Sequence, residues 1–337
     1  MPNTQFDTIL KAVSRSFYLS IRVLPVAMRE PVAIAYLLAR AADAIADTAI
    51  LNEKKRLQYL LNFRQSLLSI NNEQFKASDT LINSIDHVGE RELLLHLSAI
   101  IKTYYEQTPA DLDAVKKVVT TLTIGMEKDL EYFTNTSDIK ALPDTETLDE
   151  YTYYVAGCVG EFWTNLSIRH TTSLTHWQQT QMIKLGVEFG KALQLTNILR
   201  DIAKDTKIGR CYLPLSDLNK YNLDTNMLFD QSNNKKFQPV ILKWLQQADT
   251  YFDSAQSYLL SIPRHCLRLR LAALWPILIG LATLKLIKQK QNYLDANVNI
   301  KVERKWVYKM LLLSFFAVFS NTILHYWIKS IRNIHST

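Results

Sequence analysis

The chain has 337 residues, with 39 Lys and Arg against 32 Asp and Glu; the formal charge of +7 is modest and, outside clusters at 284–290 and 301–305, scattered, so it does not call for a nucleic-acid partner. With 8 glycines and 9 prolines it is not low-complexity, and Cys158, Cys211 and Cys266 lack the spacing of a zinc site or a disulfide framework. A reducing cytoplasmic setting is expected, because the opening Met-Pro-Asn-Thr-Gln-Phe-Asp has no basic segment followed by an apolar run of the secretory kind.

Apolar residues recur at helical spacing almost throughout, as in Leu93-Leu94-Leu95-x-Leu97, which predicts a nearly all-α chain forming one domain over 1–337. Helices are expected over 3–20, 28–50, 52–70, 90–107, 110–133, 146–170, 174–204, 236–262, 266–290 and 302–332. The polar breaks between them, at 71–82, 134–145, 206–218 and 221–237, are too short for interdomain linkers.

The helix expected over 28–50 carries Asp43-Ala-Ile-Ala-Asp47, with Arg40 three residues ahead. Positions four apart share a helical face, so the two carboxylates stand side by side and repel by a few tenths of a kcal/mol in water. From Ala33 to Asp47 only Tyr36 and Arg40 offer polar partners, so these carboxylates must be paired, liganded or turned to water. A second copy, Asp201-Ile-Ala-Lys-Asp205, follows Arg200 directly. One such pair is common on solvated helices; two in apolar surroundings point to a cation. Mg²⁺ takes few protein carboxylates plus phosphate oxygens, and nearby arginines suit a diphosphate.

Gly157 and Gly160, then Gly186 and Gly190, fall inside helical patterns where each costs about 1 kcal/mol relative to alanine, so close approach of another helix or of a ligand is expected there. No Gly-x-Gly-x-x-Gly or Walker sequence is present, which argues against a Rossmann or P-loop nucleotide site. Met310 to Trp327 is apolar at most positions but carries Ser314, Ser320, Asn321, Thr322 and His325; a core helix, or one resting on a membrane, is expected rather than a span.

Four blocks in order, Ser14-Arg-Ser-Phe-Tyr18, Tyr36-x-x-x-Arg40, Tyr151 through Gly157, and Gln194-x-x-Asn197-x-x-Arg200-Asp201-x-x-x-Asp205 with Arg210, resemble the squalene/phytoene synthase family of head-to-head prenyl synthases. The resemblance runs from about residue 10 to 330. It implies an all-α isoprenoid (terpenoid) synthase fold with a central cavity, in which two aspartate-rich helices hold Mg²⁺ against prenyl diphosphates. By this resemblance Asp43, Asp47, Asn197, Asp201 and Asp205 are expected at Mg²⁺, and Ser14, Arg15, Ser16, Arg40, Gln194, Arg200 and Arg210 at diphosphate. Phe17 and Tyr36 would flank the reacting carbons, and Tyr151 would guide proton loss in cyclopropane formation.

The segment Trp275-Pro-Ile-Leu-Ile-Gly-Leu-Ala-Thr-Leu284 with the basic strip Asn299 to Lys305 resembles the squalene synthase branch, which reduces with NADPH. Lys301 and Arg304, with Arg15, Arg40 and Arg200, are the expected NADPH contacts. The chain departs from that branch at Ala46, Glu303 and Ala272, with Trp275 one turn away as a substitute aromatic. The resemblance therefore implies farnesyl diphosphate as substrate, squalene as product, peripheral membrane contact, and a monomer or weak oligomer. Dehydrosqualene, phytoene or presqualene diphosphate are the alternative products, and a catalytically silent lipid-binding or assembly factor is the non-enzymatic alternative.

Overall fold

The computed structural model describes residues 4–14, 17–69, 75–133, 138–290 and 292–333. The chain divides into two compact units, one of residues 1–134 with 162–175, the other of 135–161 with 176–337.

In the first unit α1 (Thr4–Ser14), α2 (Phe17–Val23), α3 (Val26–Asp47), α4 (Glu53–Leu68), α5 (Asp79–Asn83), α6 (Val88–Leu95), α7 (Leu97–Tyr105) and α8 (Pro109–Tyr132) follow in order. The centre is α3, which packs against α4, α7 and α8 and buries Ile34, Leu37, Leu38, Ala41 and Ile45. Local signals set the ends: Asn52 caps α4 by accepting from the Lys55 amide, and Thr108 caps α8 by accepting from the Asp111 amide, with Pro109 following. The single helix expected over 90–107 is two, because His96 leaves helical geometry and its Nδ1 meets the Glu92 carbonyl at 2.8 Å. Near Asp111 of α8, Arg169 Nη1 and His170 Nε2 both reach its Oδ1 at 2.9 Å.

The second unit holds α9 (Thr145–Thr152), a π-helical turn (Tyr153–Gly157), the start of α10 (Cys158–His170), α11 (Gln179–Lys207), α12 (Leu215–Lys220), α13 (Asn234–Ser261), α14 (Leu267–Gln289), α15 (Arg304–Ala317) and α16 (Asn321–Asn333). The long α11 packs on α13, α14 and the π turn. A Cβ at Gly160 would lie 1.8 Å from the Gly186 carbonyl oxygen, and one at Gly190 would lie 2.3 Å from that of Ala156. Both glycine pairs therefore serve helix-on-helix packing, backbone against backbone.

The breaks expected at 134–145 and 206–218 contain a short parallel pair, β1 (Lys140–Leu142) and β2 (Arg210–Pro214), that helical periodicity does not reveal. Gly209, at φ 78°, ends α11 in the left-handed region and turns the chain into β2.

Met310 to Trp327 is not one core helix. It breaks after Ala317 and restarts at Asn321, and much of its apolar side chain surface faces outward. The break is held by Arg270 of α14, wholly buried, whose guanidinium donates to the carbonyls of Val318 (2.9 Å) and Ile262 (2.6 Å) and to Asn321 Oδ1 (2.7 Å). Among the described residues the one helix long and apolar enough to cross a membrane is α14, and 67% of its apolar window is buried inside the fold.

Candidate functional site

Along α3 from Pro31 to Asp47 every residue is buried except Tyr36, Ala39, Arg40, Asp43 and Asp47. The spacing of Tyr36, Arg40, Asp43 and Asp47 is that of one helical stripe, so a core helix carries a single accessible polar edge. Arg40 Nη1 donates to Asp43 Oδ2 at 3.3 Å, and Nη2 pairs with Glu90 of α6. The Nε of Arg40 is buried with no acceptor. Burial, then the neighbouring Asp47, push the Asp43 carboxyl up to about 7, against the pull of Arg40. Its side chain nonetheless keeps 39% of its surface accessible, so a ligand can reach it. Above the stripe, Phe17 stacks on Tyr36 with centroids 5.3 Å apart, and the Tyr36 hydroxyl donates to the Val13 carbonyl at 3.2 Å. Ser14 is buried and its hydroxyl donates to the Leu10 carbonyl within its own helix; Arg15 and Ser16 lie outside the described residues.

The same construction recurs on α11. Leu195, Ile198, Leu199, Ile202 and Ala203 are buried, while Gln194, Asn197, Asp201 and Asp205 form the accessible stripe. Asp201 Oδ2 accepts from Arg200 Nε at 3.0 Å, and Oδ1 accepts from Lys204 Nζ at 3.1 Å. Burial works against its ionisation, but Arg200 and then Lys204 outweigh it and hold the carboxyl below its ordinary range. Asp205 and Arg210 line one narrow recess with Tyr212. Tyr151, at the end of α9 just before the π turn, stacks on Tyr212 at 4.7 Å, and Arg210 Nη1 donates to the Tyr212 hydroxyl at 3.3 Å.

Two expected residues, Tyr151 and Arg210, are thus joined through Tyr212, which sequence reasoning missed; its signal was its place two residues beyond Arg210, on the same face of a strand. Glu90 was missed as well. So was Lys191 of α11, a buried ammonium 2.6 Å from Asp149 Oδ1, which also accepts from the Tyr251 hydroxyl at 3.1 Å.

Among the described residues no group of three or more His, Cys, Asp or Glu converges as a ready metal cage. The donor set still fits Mg²⁺ of the substrate-bridged kind, which needs only one or two protein carboxylates. On α3 the neighbouring Asp47 raises the proton affinity of Asp43, a repulsion that a divalent cation relieves. For NADPH the fit is to charge alone: Lys301, Glu303, Arg304 and Lys305 are all exposed. Trp275, one turn from Ala272, is buried, and its indole N–H donates to Ser314 of α15 at 2.9 Å.

Solved structures share this architecture. The complex of TcSQS with a ligand superposes with a TM-score of 0.79 at 23% identity, over 97% of this chain and 88% of that one. A dehydrosqualene synthase gives 0.66 at 22% identity, over 96% and 95%. The fold is therefore that of the all-α isoprenoid synthases. The squalene/phytoene synthase family matches residues 10–305, both acidic stripes included, and the chain belongs to it. The bifunctional lycopene cyclase/phytoene synthase of Arthroderma gypseum is 28% identical over 268 residues, covering 77% of this chain and 42% of that protein. The squalene synthase of Schizosaccharomyces pombe is 26% identical over 296 residues, covering 87% and 61%. The chain spans about two fifths of the length of the bifunctional relatives.

Proposed function

We propose that the protein is a Mg²⁺-dependent prenyltransferase that joins two farnesyl diphosphates head to head through presqualene diphosphate and reduces the product to squalene with NADPH. The observation that carries this reading is the repeated polar stripe: on α3 and on the 194–205 stretch of α11, an Asp pair four residues apart and a flanking arginine keep access to solvent beside buried apolar positions. Under it 1–337 acts as one functional domain, cytoplasmic, with peripheral membrane contact, as a monomer or weak oligomer.

Mg²⁺, when bound, supplies Lewis-acid neutralisation of the diphosphate leaving group. The residues proposed to hold it are Asp43 and Asp47 on one stripe and Asn197, Asp201 and Asp205 on the other. Arg40, with two nitrogens committed to Asp43 and Glu90, keeps its buried Nε–H as a donor for a diphosphate oxygen. Gln194, Arg200 and Arg210, with Ser14, Arg15 and Ser16, complete the proposed diphosphate set; within it the Ser14 hydroxyl must exchange its bond to the Leu10 carbonyl. The stacked faces of Phe17 and Tyr36 offer negative π density to an allylic cation. Tyr151, stacked on Tyr212, is proposed to guide a proton from the cation toward departing diphosphate.

A non-reducing product (dehydrosqualene, phytoene or presqualene diphosphate) is the second reading, favoured by the exposure of Lys301 and Arg304 and by the phytoene synthase relatives. A silent scaffold would have no use for two pairs of mutually repelling carboxylates. The test is product analysis after incubating the purified protein with Mg²⁺ and either farnesyl or geranylgeranyl diphosphate, with and without NADPH. Squalene formed only with NADPH, and nothing from Asp201→Ala, supports the proposal. A hydrocarbon or presqualene diphosphate formed equally without NADPH selects the second reading, and no turnover of either donor rejects both.

A further inference from the structure

We propose that the outward faces of the consecutive helices α15 and α16 form a docking surface for an anionic lipid bilayer. On α15 Tyr308, Leu312 and Phe316 recur at four-residue spacing and are exposed by 68, 62 and 72%; the stripe continues through Phe319 in the turn to Ile323 and Tyr326 on α16. The opposite faces, Met310, Ser314 and Ala317 on α15 and Leu324, Ile328 and Ile331 on α16, are the ones buried, and both helices pack on α14. The polarity of α15 is therefore inverted: its hydroxyl, Ser314, lies inside and its largest apolar groups lie outside. An apolar face of this extent on two consecutive helices marks an interaction surface rather than scattered exposure.

Charge identifies the occupant. Residues 304–333 contain five Lys and Arg and no Asp or Glu. Arg332 is committed to Asp249 and Asp253, while Arg304, Lys305, Lys309 and Lys329 stand exposed around the apolar stripe. A two-fold contact with a second copy would set this basic rim against itself. An anionic membrane surface satisfies both features: phenyl and leucyl groups enter the acyl boundary, tyrosine hydroxyls stay at headgroup level, and lysines reach lipid phosphates. The inference rests on the peripheral membrane contact proposed above and names its surface and its lipid chemistry.

The experiment is co-sedimentation of the full-length protein with vesicles of phosphatidylcholine alone, or of equal parts phosphatidylcholine and phosphatidylglycerol. Wild type is expected to sediment with the anionic vesicles and to be released by salt. Leu312→Ser with Phe316→Ser should weaken binding at least tenfold, and Lys309→Glu with Lys329→Glu should abolish the preference for anionic lipid, both with unchanged melting temperature. No binding to either vesicle overturns the proposal. So does a concentration-dependent dimer in sedimentation velocity that the Leu312/Phe316 variant loses, which would make the face a protein interface. Product formation from detergent-dispersed substrate, measured in parallel, separates the outcomes: binding without turnover leaves the docking surface standing and removes the prenyltransferase reading.

Discussion

Gly160→Ala is the sharpest test of how the second unit is put together. The added Cβ would fall 1.8 Å from the Gly186 carbonyl oxygen, 2.3 Å from its carbon and 3.0 Å from the Val187 nitrogen. All three are backbone atoms in the middle of α11, so no side chain rotation gives way. Restoring ordinary contact requires α10 and α11 to separate by roughly 1.5 Å, and overpacking of this kind costs up to about 3 kcal/mol. Alanine returns about 1 kcal/mol through its better helix propensity, leaving a net loss of about 2 kcal/mol. Thermal unfolding followed by circular dichroism should show a fall of about 4–8 °C. Gly157→Ala is the control: its Cβ would meet the side chains of Tyr153 and Val187 at 3.2 Å and of Lys191 at 3.5 Å, which can shift, so its effect should stay below about 1 kcal/mol. A Gly160→Ala protein as stable as wild type would refute the backbone-to-backbone contact.

Asp43→Asn and Asp201→Ala should each lower product formation by at least about 10²-fold with unchanged far-UV circular dichroism; wild-type turnover in either would remove the stripes from the chemistry. Asp111 is buried, yet hydrogen bonds from His170, Arg169 and Thr108 outweigh that burial and hold its carboxyl below the ordinary range. Its stabilisation is thus complete above pH of about 4 and fades as pH falls through the lowered value. Asp111→Asn should cost about 1–3 kcal/mol in urea titrations at neutral pH and converge with wild type in acid; a gap that persists there would mean that charge is not its source. Arg270→Met removes all three donors from Ile262, Val318 and Asn321, and should cost about 3 kcal/mol and expose the turn at Phe319 to limited proteolysis, which an unchanged digestion pattern would contradict.

The sequence alone reveals most of the helices and the stripe residues, because burial and helical period act along a single element. Asp43, Asp47, Asp201 and Asp205 could be placed on shared faces from spacing alone, and both faces are open beside buried apolar positions. Partners brought in by other elements were invisible: Glu90 beside Arg40, Tyr212 between Tyr151 and Arg210, Asp149 beneath Lys191. The C-terminal helix was misjudged for a related reason. Apolar composition does not say which side of a helix faces inward, and the break at 318–320 is set by a guanidinium from α14 rather than by any local glycine or proline. The glycine pairs show the converse, since scarcity inside helical patterns pointed to close contact and only the structure tells that the contact is another helix.

Arg270 ties three separate stretches of chain, the end of α13, the turn after α15 and the first residue of α16, to one buried cation with no carboxylate among its bonded partners. Lifting any one of them strands a charge in the core, so partial fraying of α15 and α16 gains little and costs nearly as much as complete release. The C-terminal helices should accordingly open as a unit. Their amides should share a single opening free energy in hydrogen exchange, with protection stepping up at Val318 instead of decaying gradually toward the terminus.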